Sequence, residues 1–211
     1  GSIAIMSLAT TLIILVAALG VEALFGYPQR LYKLIGHPVT WIGALISKLD
    51  RDLNRDDESR AARKASGLLA LIVLVAIPAG LAWIVQITLA STWLGNIALV
   101  LIASTMLASR SLFDHVRDVA LALRNEGLDA GRTMVGRIVG RNPEMLDEHG
   151  VARAAIESLA ENASDGITAP VIWFALLGLP GLAAYKAINT ADSMIGHRTP
   201  RHEAFGWAAA R

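Results

Sequence analysis

The sequence predicts an all-α, polytopic integral membrane protein with a broken or re-entrant membrane segment and helices on its cytoplasmic side. Composition is the first observation behind this. Hydrophobic residues make up 54% of the 211 residues and charged residues only 18%, with a mean hydropathy of +0.49, more apolar than a soluble domain. The second is clustering: no Lys, Arg, Asp or Glu precedes Glu22, and none occurs from Ala65 to Ser109. The third is that basic residues fall in two blocks separated by a neutral turn. The absence of cysteine excludes disulfides, thiolate catalysis and Cys-ligated zinc or iron–sulfur centres. A formal net charge of +1 gives no reason to expect nucleic acid as a partner.

The first span is predicted at residues 7–24, an apolar run long enough to cross hydrocarbon. It lacks a basic n-region and a small-residue cleavage site, so a retained helix is expected rather than a signal peptide. Residues 25–65 form the first loop, with Arg30, Lys33, Lys48, Arg51, Arg55, Arg60, Arg63 and Lys64. Within it, residues 38–49 read as a short amphipathic helix with Trp41, Leu45 and Leu49 on one side. The second span is predicted at residues 68–89, kinked at Pro78 and Gly80, and the third at 92–107. The turn between them carries no basic residue, whereas the segment 110–165 carries Arg110, Arg117, Arg124, Arg132, Arg137, Arg141 and Arg153. Three crossings place both basic segments on the same side, so the positive-inside rule puts segments 25–65 and 110–165 in the cytoplasm. Residues 128–139 and 147–163 are helical by spacing, with a break at Asn142-Pro143. Residues 166–185 are uncharged yet hold Pro170, Gly178, Pro180 and Gly181. Three readings fit: a helix–turn–helix dipping into the membrane, two half-helices meeting there, or a fourth span ending at Leu177 with a fresh helix starting at Leu182.

Two polar constellations flank that segment. Glu157, Glu161 and Asp165 recur every four residues and so share one helical face, with Arg153 a turn earlier. Like charges at that spacing repel, and a divalent cation such as Mg²⁺, which prefers hard oxygen ligands, gives a reason for them. A solvated helix with an Arg153–Glu157 pair is the alternative. In the second constellation Lys186, Asn189, Thr190, Ser193 and His197 cluster on one side of a helix, with Asp192 at the edge. Ammonium, amide and hydroxyl donors suit phosphate or carboxylate recognition. His37 could cap the amphipathic helix or touch substrate, and Arg137 and Arg141 could hold a phosphate or contact anionic lipid. The histidines show no zinc spacing, and neither GxxxxGK[ST] nor GxGxxG occurs.

The run from Glu157 to Gly166, followed by Ala169-Pro170 and Trp173 and then by Tyr185 to Gly196, closely resembles the signature of the CobD/CbiB family. His37-Pro38-Val39 with Trp41-Ile42-Gly43 resembles its N-terminal block, and residues 136–141 its central one. The resemblance implies a bacterial inner-membrane, multi-pass adenosylcobinamide-phosphate synthase with its active side in the cytoplasm. Such an enzyme works in cobalamin (vitamin B12) biosynthesis as an ATP-dependent, amide-forming ligase. It joins the free propionate carboxylate of adenosylcobyric acid to an aminopropanol phosphate or similar amino-alcohol phosphate. The corrinoid is then substrate rather than cofactor, and Mg²⁺ with ATP is the implied cofactor. Glu157, Glu161, Asp165 and Asp192 would supply metal binding or the base, with Lys186 catalytic. Ser158, Asn162, Asn189, Thr190, Ser193, Arg137, Arg141 and His37 would contact substrate or phosphate. The implied partners are membrane lipid, the two substrates, and a second copy or another enzyme of the pathway. Family members are longer, with further membrane helices beyond a segment that begins like residues 205–211, so the chain is expected to stop inside the family pattern. Competing readings are a non-catalytic sensor of the AmpE type and a corrinoid transporter. No inverted repeat is visible to favour the latter.

Overall fold

The computed structural model describes residues 6–140 and 142–211, and at Gln29 and Leu31 the backbone only. Several of its helices begin where polar side chains satisfy the free N–H groups of a first turn. Ser7 caps α1 (Leu8–Phe25), Ser59 caps α4 (Arg60–Leu89), Thr92 caps α5 (Trp93–Ser104) and Asp147 caps α8 (Glu148–Ala163). Gly26 (φ 59°) and Gly36 (φ 74°) end α1 and α2 (Gln29–Ile35) in backbone that a Cβ disfavours. His37 opens α3 (Pro38–Leu53) with a capping box: its Nδ1 accepts from Val39 N, while Thr40 Oγ1 accepts from His37 N. The amphipathic helix therefore runs a turn beyond its predicted end at residue 49.

Among the described residues, four helical stretches are long and apolar enough to cross a membrane: Leu8–Phe25, Arg60–Leu89, Trp93–Asn125 and Glu148–Ile195. Their outer faces leave Ile13, Val16, Leu69, Ile72, Leu81 and Leu101 exposed, a surface suited to lipid and not to water. α4 continues through Pro78 as one helix of 30 residues. Proline removes only one N–H from the ladder. The third span, predicted to end at residue 107, is divided: α5 stops at Ser104 and α6 (Ser109–Asn125) starts after a turn. A helix of 12 residues reaches only about 18 Å, short of the roughly 30 Å of hydrocarbon, so a crossing here has to continue into α6.

The segment with most helix breakers is the one that decides the architecture. α8 passes through a π-helical turn, Ser164–Thr168, into α9 (Ala169–Ile195), and Gly178 inside α9 leaves the helix at φ 68°, ψ −152°. The chain doubles back there. Asn189 Nδ2 lies 3.0 Å from Asp165 Oδ2, although 24 residues in one straight helix would separate them by about 36 Å. A Cβ on Gly181 would collide with the Trp173 carbonyl eight residues earlier, so glycine is required for the arms to approach. The break expected in this segment is observed, at Gly178. Gln86 of α4 repairs the break: its Oε1 accepts from Leu179 N at 2.8 Å, satisfying a donor freed by Gly178.

Three cores hold the helices. Ile14, Leu15 and Ala18 of α1, Leu99 and Ala103 of α5, and Phe174, Leu179 and Leu182 of α9 pack as the first. Ile42, Ile46, Leu74, Ala187, Ala191 and Phe205 form the second, where α3, α4 and the returning arm of α9 meet the C-terminal segment. α6, α7 (Leu128–Val135) and α8 share the third, around Val119, Val135, Val151 and Ala155. Outside the bundle, the Arg201 carbonyl accepts from Asn54 Nδ2 and Arg63 Nη2, and the Arg201 guanidinium pairs with Asp50 at 3.0 Å. Burial alone would raise the Asp50 carboxyl, but bonds from Asn54 and Arg201 outweigh it and hold the group below its ordinary 3.8.

Candidate functional site

Doubling back brings the two polar motifs together at one end of the bundle. Asp165, at the π-turn, accepts from Asn189 Nδ2 at 3.0 Å and faces the Tyr185 hydroxyl at 3.4 Å. Lys186, with 9% of its surface exposed, lies between this group and a cleft of about 700 Å³. The cleft is lined by Glu22, Tyr27, His37, Arg110, Asp114, His115 and Asp118 among others. At its mouth, burial first and the Lys186 charge second keep His37 below its ordinary 6.5, with a backbone hydrogen bond at Thr105 pulling the other way. His37 is therefore the neutral imidazole at pH 7, with Nδ1 engaged by Val39 N.

The remaining predicted residues are placed differently. Glu157 and Glu161 are exposed on α8, whereas Asp165 is half-buried and bonds to Asn189 of α9. Ser158 is buried and donates to Ile138 O at 2.8 Å, and Asn162 Nδ2 donates to Ser158 O. The first ties α8 to the turn after α7, and the second lies within α8. Thr190 and Ser193 bond back to the Lys186 and Asn189 carbonyls; Asp192 and Ser193 are exposed on α9, and His197 is exposed just beyond its end. Arg137 is exposed on the turn after α7, and Arg141 lies outside the described residues. Among the described residues, no three His, Asp or Glu side chains converge as a metal site. What fits Mg²⁺ here is one carboxylate, Asp165, serving an ion that arrives on phosphate oxygens, rather than an all-protein cage.

Sequence reasoning missed the other wall of the cleft. Glu22, 3% exposed, accepts from Ser109 N at 2.8 Å and from Arg110 N at 3.0 Å. It thereby caps α6, whose own N-cap, Ala108, has no side chain able to do so. Arg110 Nε then donates to Asp114 Oδ2 at 2.9 Å along the cleft. The signal was an ionisable residue inside an apolar span, a functional candidate by default. Beside the cleft runs an apolar groove of about 560 Å³ between α3, α4, α5 and α9, sharing Tyr27 and Met106 with it.

Comparison with known proteins adds the following. A family described as CobD/Cbib protein matches residues 15–211. A "Cobalamin biosynthesis protein CobD" of Rhodobacter capsulatus is 50% identical over 197 residues, covering 93% of this chain and 62% of the relative. Proteins of the same name from Sinorhizobium sp. (48% identity, 96% of this chain, 63% of the relative) and Brucella anthropi (50%, 95% and 62%) match similarly. The chain thus spans about three fifths of the length of these curated relatives. No solved structure matches.

Proposed function

This chain belongs to the CobD/CbiB family, and from that premise we propose that it acts in cobalamin biosynthesis as an ATP-dependent, amide-forming synthase of the bacterial inner membrane, with its site at the cytoplasmic end of the bundle. The proposed reaction joins the free propionate carboxylate of adenosylcobyric acid to an amino-alcohol phosphate. Condensing a carboxylate with an amine in water is uphill, so the carboxylate has to be activated, most simply as an acyl phosphate. ATP would supply the phosphoryl group for that step, and Asp165 would give an oxygen ligand to Mg²⁺ carried on its phosphates.

The protein's own contribution follows from the end of the cleft. Lys186 places a positive charge where negative charge builds up on phosphate and on the attacked carbonyl. Asn189 and Tyr185 hold Asp165, which orients the ammonium or its counter-charge. The Asp192 carboxylate, exposed on α9, is the group that takes the proton from the incoming ammonium, because both ring nitrogens of His37 are already engaged. Amine attack forms the C–N bond and expels phosphate.

The observation that carries the reading is the closure of the two motifs on each other through Asp165 and Asn189. The test is corrinoid product formed from adenosylcobyric acid, amino-alcohol phosphate and Mg-ATP in detergent by the complete gene product. Asp165→Asn and Lys186→Met are each expected to lose at least about 100-fold while remaining membrane-inserted, the scale of losing a charge-stabilising contact. Turnover within a few-fold of wild type in both variants would overturn the proposal. A sensor or transporter would form no product in any variant.

A further inference from the structure

The stretch between α1 and the end of α3 has a composition unlike the rest of the loops. From residue 23 to residue 49 there is no Asp or Glu, whereas Arg30, Lys33 and Lys48 are present. Within it Phe25, Leu34, Ile35 and Trp41 are exposed by 74, 80, 52 and 54%. Arg30 and Lys33 are exposed among them. A water-facing loop would mix charges and hide its large apolar side chains. Cations interleaved with exposed Phe, Leu, Ile and Trp are the composition of a segment lying in a bilayer interface.

The same stretch walls the apolar groove. Ile35 of α2 and Pro38, Trp41 and Leu45 of α3 face Ile77 and Leu81 of α4 across it. At about 560 Å³ it falls within the size range of small-molecule sites and is roomy enough for one acyl chain. Trp41 Nε1 donates to Ile35 O at 2.9 Å, tying α2 to the rim. Arg30 and Lys33 therefore lie within about one and a half turns of the groove. The nearest carboxylate upstream, Glu22, is already engaged by Ser109 N and Arg110 N.

We propose that α2 and the groove form a binding site for one anionic phospholipid, with an acyl chain between α3 and α4 and the headgroup phosphate against Arg30 and Lys33. Charge complementarity selects the headgroup, since each cation near an anionic leaflet adds about fivefold to binding. The apolar walls take the chain, and Trp41 sits where the two meet. Nothing in this site draws on the proposed synthase chemistry.

Trp41 also makes the site measurable. A protein carrying Trp83→Phe, Trp93→Phe, Trp173→Phe and Trp207→Phe keeps it as the sole reporter. This protein is placed in phosphatidylcholine vesicles doped with acyl-brominated phosphatidylglycerol or with acyl-brominated phosphatidylcholine, and fluorescence quenching is followed. Quenching is expected at an on-the-order-of-tenfold lower mole fraction of the anionic lipid, and Arg30→Gln with Lys33→Gln should remove that preference. Equal quenching by both lipids would show non-selective annular lipid and overturn the proposal. So would a preference that survives the double substitution, or no quenching by either lipid, which would mean a protein segment fills the groove. If the fourfold variant does not fold, the difference between wild type and Trp41→Phe gives the same readout.

Discussion

Glu22→Ala tests how the cleft is held open. Glu22 is all but buried and its two oxygens receive the N–H groups of Ser109 and Arg110, 87 and 88 residues away. Alanine leaves both donors without an acceptor at a helix start that has no cap of its own. An unsatisfied buried donor costs about 1–3 kcal/mol, and cleft water recovers part of it, so the expected loss is about 2–4 kcal/mol. Glu22→Gln keeps one acceptor and should lose about half as much. In thermal unfolding followed by circular dichroism in detergent, a chain of this size shifts by about 2–4 °C per kcal/mol. The alanine variant should therefore unfold some 5–12 °C lower, with glutamine between it and wild type. An alanine variant within about 1 °C of wild type, or a glutamine variant no better than alanine, would refute the reasoning.

Other outcomes follow from single contacts. Gln86→Leu should destabilise by about 1–3 kcal/mol in the same assay, because Leu179 N loses its acceptor at the Gly178 break. Gly178→Ala should cost about as much, since it places a Cβ at positive φ against the Gln86 side chain. Ser158→Ala should cost about 1 kcal/mol with KM for the amino-alcohol phosphate unchanged, because the hydroxyl is bonded to Ile138 O; a raised KM would restore the phosphate-binding role read from the motif. Asp50, held below its ordinary 3.8 in the folded chain, stabilises above that value, and the contribution drains away as pH falls through the lowered folded value. Asp50→Asn should therefore flatten the acid limb of an unfolding-versus-pH curve below about pH 4, and an unchanged limb would contradict the Arg201–Asp50 contact as its source.

Much of the molecule was legible along the chain because its causes are local. Charge-free runs marked the spans, and Asn142-Pro143 marked a break between helices. Periodicity, capping and hydropathy act over a turn or two, so the residues themselves carry them. A local irregularity that periodicity does not show is the π-turn at Ser164–Thr168, which links α8 to α9. Which faces meet was another matter. That Asp165 closes on Asn189, that Glu22 caps a helix beginning at Ser109, and that Gln86 mends the chain at Gly178 could be decided only by packing. Each of these contacts joins residues 24 to 93 positions apart, and no neighbour in the sequence registers whether a distant donor will find its acceptor.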